Sequence, residues 1–254
     1  MTTSLPAGWQ AAPDCLNDKI ILVTGAGDGI GRACALTFAS LGATVILLGR
    51  TPEKLAAVYD EIKRNGGQEP AMVPLNLAVA TAREYAQLAD MLDTEFHRLD
   101  GIVHCAAILG DITPLELYSG DTWSQVIQVN LNAPMLLTQA MLPLLKASPA
   151  ASVVFTTSSV GRKGRAFWGA YAVSKAGIES ITQIFADEME HLGTLRFNAV
   201  NPGATRTPMR ARAYPAENPM ALKTPEEIMP LFTWLASDDS RGVNGLSLDA
   251  QPKS

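Results

Sequence analysis

The sequence predicts an α/β fold, a single doubly wound parallel sheet of about seven strands with helices on both faces. Three observations carry this. From residue 19 to residue 250, runs of Ile, Leu and Val too short for helices alternate with longer stretches in helical period. The first run opens into a glycine-rich turn at the head of a helix, Thr24-Gly-Ala-Gly-Asp-Gly-Ile-Gly31. The polar and glycine positions that stand out fall where strands end: Gly49-Arg50, Asn76, Cys105-Ala106-Ala107, Ser158 and Pro202-Gly203. Open parallel sheets bind ligands at the carboxyl ends of their strands, where the strand order reverses.

Taken in order, residues 19–25 fit a strand buried on both faces, and a helical pattern runs on to about Leu41. Residues 43–48 form the second strand; Thr51 and Pro52 then cap a helix that Gly66-Gly67 stops. A third strand at 71–75 leads into a helix over 79–96, and a fourth covers 101–105. A long helix spans 121–146, followed by a strand at 152–157, a helix over 168–192 and a strand at 196–201. Thr224-Pro-Glu-Glu227 has the form of a capping box for one more helix, and residues 245–250 suit a last strand. Residues 1–18, with Pro6, Gly8 and Pro13 but neither a basic start nor an apolar core, read as a mobile or loosely docked N-terminal arm rather than a secretory signal. Residues 19–254 form one domain without internal repeat or boundary.

Composition excludes several function classes. A formal net charge of -5 offers no basic field for a nucleic acid. Apolar residues are spread along the chain, with no run long enough to span a bilayer. The 3 cysteines, Cys15, Cys34 and Cys105, have neither the even count of a disulfide framework nor metal-ligand spacing, which fits a reducing cytoplasm. His97, His104 and His191 are scattered, so each is expected at the surface or the edge of the core, and no metal is expected.

The chemistry centres on Tyr171-Ala-Val-Ser-Lys175. On a helix, i,i+4 spacing sets the phenol beside the ammonium. A tyrosine titrates near ~10, so it exchanges protons poorly at neutral pH unless a neighbouring cation favours the phenolate; Lys175 is that cation here. Ser158 ends a buried strand, with its hydroxyl available to the same substrate oxygen. The glycines of the first turn admit a pyrophosphate to the helix N-terminus. Their spacing is Gly-x-x-x-Gly-x-Gly rather than Gly-x-Gly-x-x-Gly.

Together these residues resemble the short-chain dehydrogenase/reductase family, whose sheet is of the Rossmann type, from about Lys19 to Ala250. Thr24-Gly25, Gly29 and Gly31 match the cofactor turn, and Asn130 in Gln128-Val-Asn-Leu131 the helical asparagine. Ser158, Tyr171 and Lys175 complete the catalytic set, and Pro202-Gly203 to Thr207 match the late nicotinamide-side loop. More narrowly, Asp28, Ser158-Ser-Val-Gly-Arg162, Lys223-Thr-Pro-Glu226 and Asp249-Ala-Gln-Pro252 are similar to the YciK-type bacterial oxidoreductases. The resemblance implies hydride transfer between a nicotinamide and a carbonyl or alcohol carbon. Tyr171 is then the general acid/base, Lys175 bonds the nicotinamide ribose, Ser158 polarises the carbonyl, and Asn130 holds a water linking Lys175 to solvent. An Asn130 amide satisfied by backbone is the plainer reading of that residue. Cofactor contacts are implied at Gly25, Gly27, Asp28, Gly29, Ile30, Gly31, Arg50, Asn76, Leu77, Ala106, Asn130, Tyr171, Lys175, Pro202, Gly203, Thr205 and Thr207.

Two positions depart from the family pattern. Cys105 stands where an asparagine is usual, so a contact bracing the sheet is missing or replaced; Asn76 stands where an aspartate often contacts adenine. Both leave a second reading in play, a catalytically weak sensor or scaffold with the same fold. Arg50 after the second strand points to NADP(H), since a guanidinium suits a 2'-phosphate; Asp28 speaks for NAD(H). Arg162, Lys163, Arg165, Arg206, Arg210 and Arg212 lie in two loops expected beside the substrate. They form either a ring that gathers an anionic carbonyl compound or a set of solvated and ion-paired side chains. Met135, Leu136, Leu137, Met141, Leu142, Ile178, Ile181, Ile184 and Phe185 exceed one buried stripe, and in the family the two helices carrying them pair across a two-fold axis, implying a homodimer or homotetramer.

Overall fold

The computed structural model describes residues 4–252; residues 1–3 of the expected arm, and residues 253–254, lie outside the described residues. The apolar runs fold as β1 (Ile20–Thr24), β2 (Thr44–Gly49), β3 (Ala71–Pro74), β4 (Gly101–His104), β5 (Ala151–Thr156), β6 (Leu195–Asn201) and β7 (Ser247–Asp249). All pair in parallel, in the order β3-β2-β1-β4-β5-β6-β7. Between them lie α1 (Gly29–Ser40), α2 (Pro52–Arg64), α3 (Ala82–Phe96), α4 (Gly120–Ile127), α5 (Ala133–Lys146), α6 (Ser159–Arg162), α7 (Gly169–Met189), α8 (Pro208–Ala213) and α9 (Met229–Ala236).

Strand side chains alternate between two cores, which is why these runs are apolar throughout. Ile21 and Val23 pack with α1, α2 and α9 on one face, whereas Leu22 packs with α3, α5 and α7 on the other. The last turn of α9 is closed from below. Arg196 on β6 buries its guanidinium and donates to Leu235 O (3.1 Å), Ser237 O (2.6 Å) and Ala151 O (3.3 Å). A cation there satisfies carbonyls that the helix end leaves without partners.

Several boundaries differ from expectation for identifiable reasons. The helix expected over 121–146 is broken by a π-turn at Gln128–Asn132. Pro134 lacks an N–H for the Asn130 carbonyl, and in an α-helix its ring would strike that carbonyl; one wider turn accommodates both. The third helix begins at Ala82 rather than 79, because Thr81 and Glu84 form a capping box (Thr81 N to Glu84 Oε2, 2.9 Å). Thr51 occupies the N-cap of α2 without making the expected side-chain bond. The expected capping box at Thr224 and Glu227 is present (2.7 and 3.4 Å). Residues 4–18 are docked rather than loose: Leu16 is fully buried, its N–H donates to Leu41 O (3.1 Å), and Trp9 donates to Asp239 (2.8 Å).

His104 is not at the edge of the core. It is buried at the end of β4, stacked on Phe155 with centroids 4.9 Å apart, and its Nε2 lies 2.9 Å from Thr138 Oγ1. Nδ1 has no partner. Burial, and secondarily the charge of Lys175, lower its pKa to about 3. Above the unfolded value of ~6.5 both states hold the ring neutral; between that and about 3 only the unfolded chain takes the proton, so stability falls as pH falls. Urea unfolding from pH 7 to 4.5 should reveal a loss of about 1.4 kcal/mol per pH unit below 6.5 that is absent from a His104→Phe/Thr138→Val variant. Equal slopes in both proteins would remove His104 from the acid response.

Candidate active site

The carboxyl ends of the strands surround one cavity of about 480 Å³. Its floor is the seam between β1 and β4. Gly25 has φ +68°, and a Cβ there would lie 2.9 Å from the backbone of Ala106. A Cβ on Gly31 would stand 2.3 Å from Gly25 O, so the first turn of α1 closes directly on the loop. Only glycine permits both approaches. Asp28 caps α1, accepting from Gly29 N at 2.8 Å, and pairs with Lys54. The Lys54 ammonium holds the Asp28 carboxyl below its ordinary range against a smaller burial penalty. Thr24 Oγ1 accepts from Ala106 N at 3.1 Å, a brace across the seam beside Cys105.

Every residue expected in the catalytic set or in contact with the cofactor lines this cavity except Asn130. Arg50, at the end of β2, is exposed on its wall. Asn76 lies after β3 and folds its own turn, Oδ1 accepting from Ala78 N at 3.2 Å, with Leu77 buried beside it. Asn130 is buried behind the wall, where the π-turn aims it at the loop after β4. Its amide accepts from Ile108 N and donates to Ile108 O, both at 2.8 Å, and donates to Ser174 Oγ at 3.2 Å. The amide is thus satisfied by backbone 22 residues away in the chain rather than by its own helix.

Across the cavity, Ser158 lies just beyond β5 at the N-cap position of the short α6, without a side-chain cap bond, while Tyr171 and Lys175 project from α7. Lys175 is buried; its Nζ donates to Thr156 O at 2.8 Å and lies 5.7 Å from the Tyr171 ring centroid. Burial lowers the ammonium to about 8. Burial also pushes the Tyr171 phenol up to about 12, with the neighbouring Ser158 hydroxyl pulling the other way. The expected lowering by Lys175 is absent because its Nζ is held by Thr156 O rather than by the phenol, and both charges meet the same desolvation. Gly161 lets α6 lie against α7: a Cβ there would be 2.7 Å from the Lys175 backbone. Pro202 and Gly203 complete the rim, tied by Gln251 Nε2 to Pro202 O (2.9 Å) and Ala204 O (3.0 Å). Thr205 Oγ1 donates to Pro202 O at 3.1 Å, and Thr207 caps α8 by accepting from Arg210 N at 3.1 Å.

The six cations do not form a ring. Arg162 is bound to Asp249 (2.8 Å) and Ser247, and Arg206 to Pro219 O (2.8 Å) and Leu222 O. Arg165 donates to Tyr214 Oη at 3.1 Å. Of the six only Arg210 lines the cavity, gripping both oxygens of Glu217 (2.6 and 2.7 Å) and stacking 3.8 Å from the Tyr214 ring centroid. Lys54, Trp168 and Gln251 are site residues that sequence reasoning missed. Lys54 had a signal in its place on the first turn of the helix after Arg50; Trp168 opens the helix expected over 168–192, and Gln251 sat inside the motif from Asp249 to Pro252.

The short chain dehydrogenase family model matches residues 19–218. The oxidoreductase YciK of Escherichia coli (strain K12) is 52% identical over 244 residues, 96% of each chain. A short chain dehydrogenase from Shigella flexneri 2a, solved in complex with NADP, superimposes with a TM-score of 0.93 at 52% identity over 95% of this chain and 100% of that one. One from Escherichia coli CFT073, solved with NADPH, gives the same values. The seven parallel strands, the glycine turn and these matches agree: the chain belongs to the short-chain dehydrogenase/reductase family.

Proposed function

We propose that the protein is an NADP(H)-dependent oxidoreductase that interconverts a carbonyl and an alcohol, with Tyr171 as general acid/base. The observation that carries this reading is the meeting of Ser158, Tyr171 and Lys175 in the cavity whose floor is the Gly25 to Gly31 turn. The turn fits a dinucleotide, since its glycines leave room for a pyrophosphate at the N-terminus of α1, where free amides and the helix dipole favour an anion. Arg50 suits the 2'-phosphate. The objection raised by Asp28 weakens because Lys54 already offsets its charge. NADP and NADPH in the Shigella flexneri and Escherichia coli relatives support the same choice.

When bound, NADP(H) supplies or takes up the hydride. Tyr171, held at about 12 and protonated at neutral pH, is ready to give its proton to the substrate oxygen as the carbonyl is reduced. Ser158 donates a hydrogen bond to that oxygen and stabilises the charge that develops on it. Lys175, poised near 8, sets an ammonium beside the phenolate that this transfer leaves and stabilises its charge. Asn130 acts through position, clamping Ile108 so that the loop after β4 keeps the cavity wall in place. The bidentate hold of Glu217 on Arg210, together with Trp168 beside Tyr171, favours a neutral carbonyl compound over an anion. Among the described residues no helix is long and apolar enough to cross a membrane.

Assembly follows the same reading. Leu137, Met141, Ile178 and Phe185 are buried in the core, which leaves Ile184 (50% exposed) and Val173 (46%) on the outer face of α7. A symmetric dimer or tetramer would cover them. Light scattering at micromolar concentration should give a multiple of the chain mass, and a monomer would contradict this.

Tyr171→Phe should lower carbonyl reduction by about 10²- to 10⁴-fold with the NADPH dissociation constant near that of the wild type. Lys175→Ala should harm both binding and turnover; wild-type turnover in Tyr171→Phe would refute the assignment. Arg50→Ala should weaken NADPH by about 10- to 100-fold and leave NADH almost unchanged. Equal weakening of the two cofactors in equilibrium titrations would rule out a 2'-phosphate contact.

A further inference from the structure

The seam under the cofactor turn holds a pair of thiols. Cys105 follows β4, is partly exposed and lines the cavity; Cys34, in α1, is fully buried directly behind it. Their sulfurs are 4.0 Å apart. Cys15, the third cysteine, belongs to the docked N-terminal segment, and all three are free thiols.

We propose that Cys105 is an oxidant-reactive thiol in the floor of the cofactor cavity and that Cys34 resolves it as an intramolecular disulfide. A hydroperoxide is the oxidant. Attack of the Cys105 sulfur on the peroxide breaks the O–O bond and gives a sulfenic acid, and the thiol's proton leaves on the departing oxygen as water or an alcohol. The Cys34 sulfur then attacks the sulfenic sulfur, forming the S–S bond and expelling a second water; two thiols are oxidised and one peroxide is reduced. Cys105 is the entry point because only it opens on the cavity.

Closing the pair would draw the sulfurs from 4.0 Å to about 2.05 Å. Neither end can move alone. Ala106, next to Cys105, rests on Gly25, and Cys34 lies one turn beyond Gly31 on the helix that closes against Gly25. The bond would therefore tighten α1 against the loop after β4 at the place where the turn must receive the pyrophosphate, and cofactor affinity should fall. By the same geometry, a bound dinucleotide covers Cys105 and shields the pair.

The test treats ligand-free Cys15→Ser protein with hydrogen peroxide and maps peptides without reduction. The expected product is a Cys34–Cys105 cross-linked peptide, lighter by two hydrogens, which dithiothreitol reverses with recovery of NADPH binding. Cys34→Ala should halt at a sulfenic acid on Cys105, trapped by dimedone, whereas Cys105→Ala and Cys105→Ser should both leave Cys34 unmodified over the same period. NADPH at ten times its dissociation constant should slow cross-linking about tenfold, since only the empty fraction reacts. That arm rests on the cofactor reading above; the cross-link itself does not. Absence of the cross-link, or oxidation of Cys34 at an undiminished rate in both Cys105 variants, would overturn the proposal. If NADPH binds by titration yet gives no protection, Cys105 is not under the cofactor and the entry route is wrong. If NADPH fails to bind at all, the cofactor reading falls while the cross-link still decides the thiol pair.

Discussion

Strands β1 and β4 are neighbours in the sheet, yet the segments that follow them go to opposite faces, and the crevice between those segments is where a ligand can enter. The site depends on how closely the two segments approach at their start. Gly25 lies on Ala106, Thr24 bonds across to the same residue, and Gly31 brings α1 down on Gly25 O. A side chain at either glycine would push the helix away from the sheet and carry its free amides out of reach of an anion. Close packing here is therefore a condition for binding as well as for stability.

The opposite wall is built from buried polar groups that bond to one another. Thr156 on β5 donates to His104 O at 2.8 Å and offers its own carbonyl to Lys175. His104 turns Nε2 to Thr138 on α5, so the buried ammonium, the strand and the helix behind it share one network. Burying a charge is unfavourable, and the displacement of Lys175 to about 8 and of His104 to about 3 records that tension. Lys175 thereby releases its proton more readily than an exposed lysine would, whereas His104 stays neutral down to about pH 3.

Much of this was legible in the residues themselves. Strand and helix order followed from period and length, and the glycine turn announced itself because backbone contacts of that kind admit only one residue type. What was not legible has common causes. The π-turn comes from the absence of an N–H at Pro134, and a window that averages hydrophobicity does not register one missing donor. Asn130 was singled out, but its partner Ile108 lies across the fold, and spacing along a helix says nothing of such contacts. His104 has neighbours on β5 and α5, which made it core rather than edge. Lys54 and Gln251 act on loops far from them in sequence.

The arginines mark the limit of reading charge from composition. A side chain with five donors is as useful for satisfying stray carbonyls as for meeting an anion, and the residue type is the same in both uses. Arg206 ties down the chain after α8 through Pro219 O and Leu222 O, while Arg162 joins the segment after Ser158 to Asp249 and Ser247 on the last strand. Asp249 in turn accepts from Asn201 at 2.7 Å, so the two motifs around Ser158 and Asp249 form one bonded unit behind that wall of the cavity. Removing such an arginine would leave several acceptors unpaired and loosen two loops together, whatever the charge of the substrate. A cluster of cations near a site is thus evidence of a ligand only after the carbonyls and carboxylates around it have been counted, and here the count leaves Arg210 as the one of the six on the cavity wall, with Glu217 already on it.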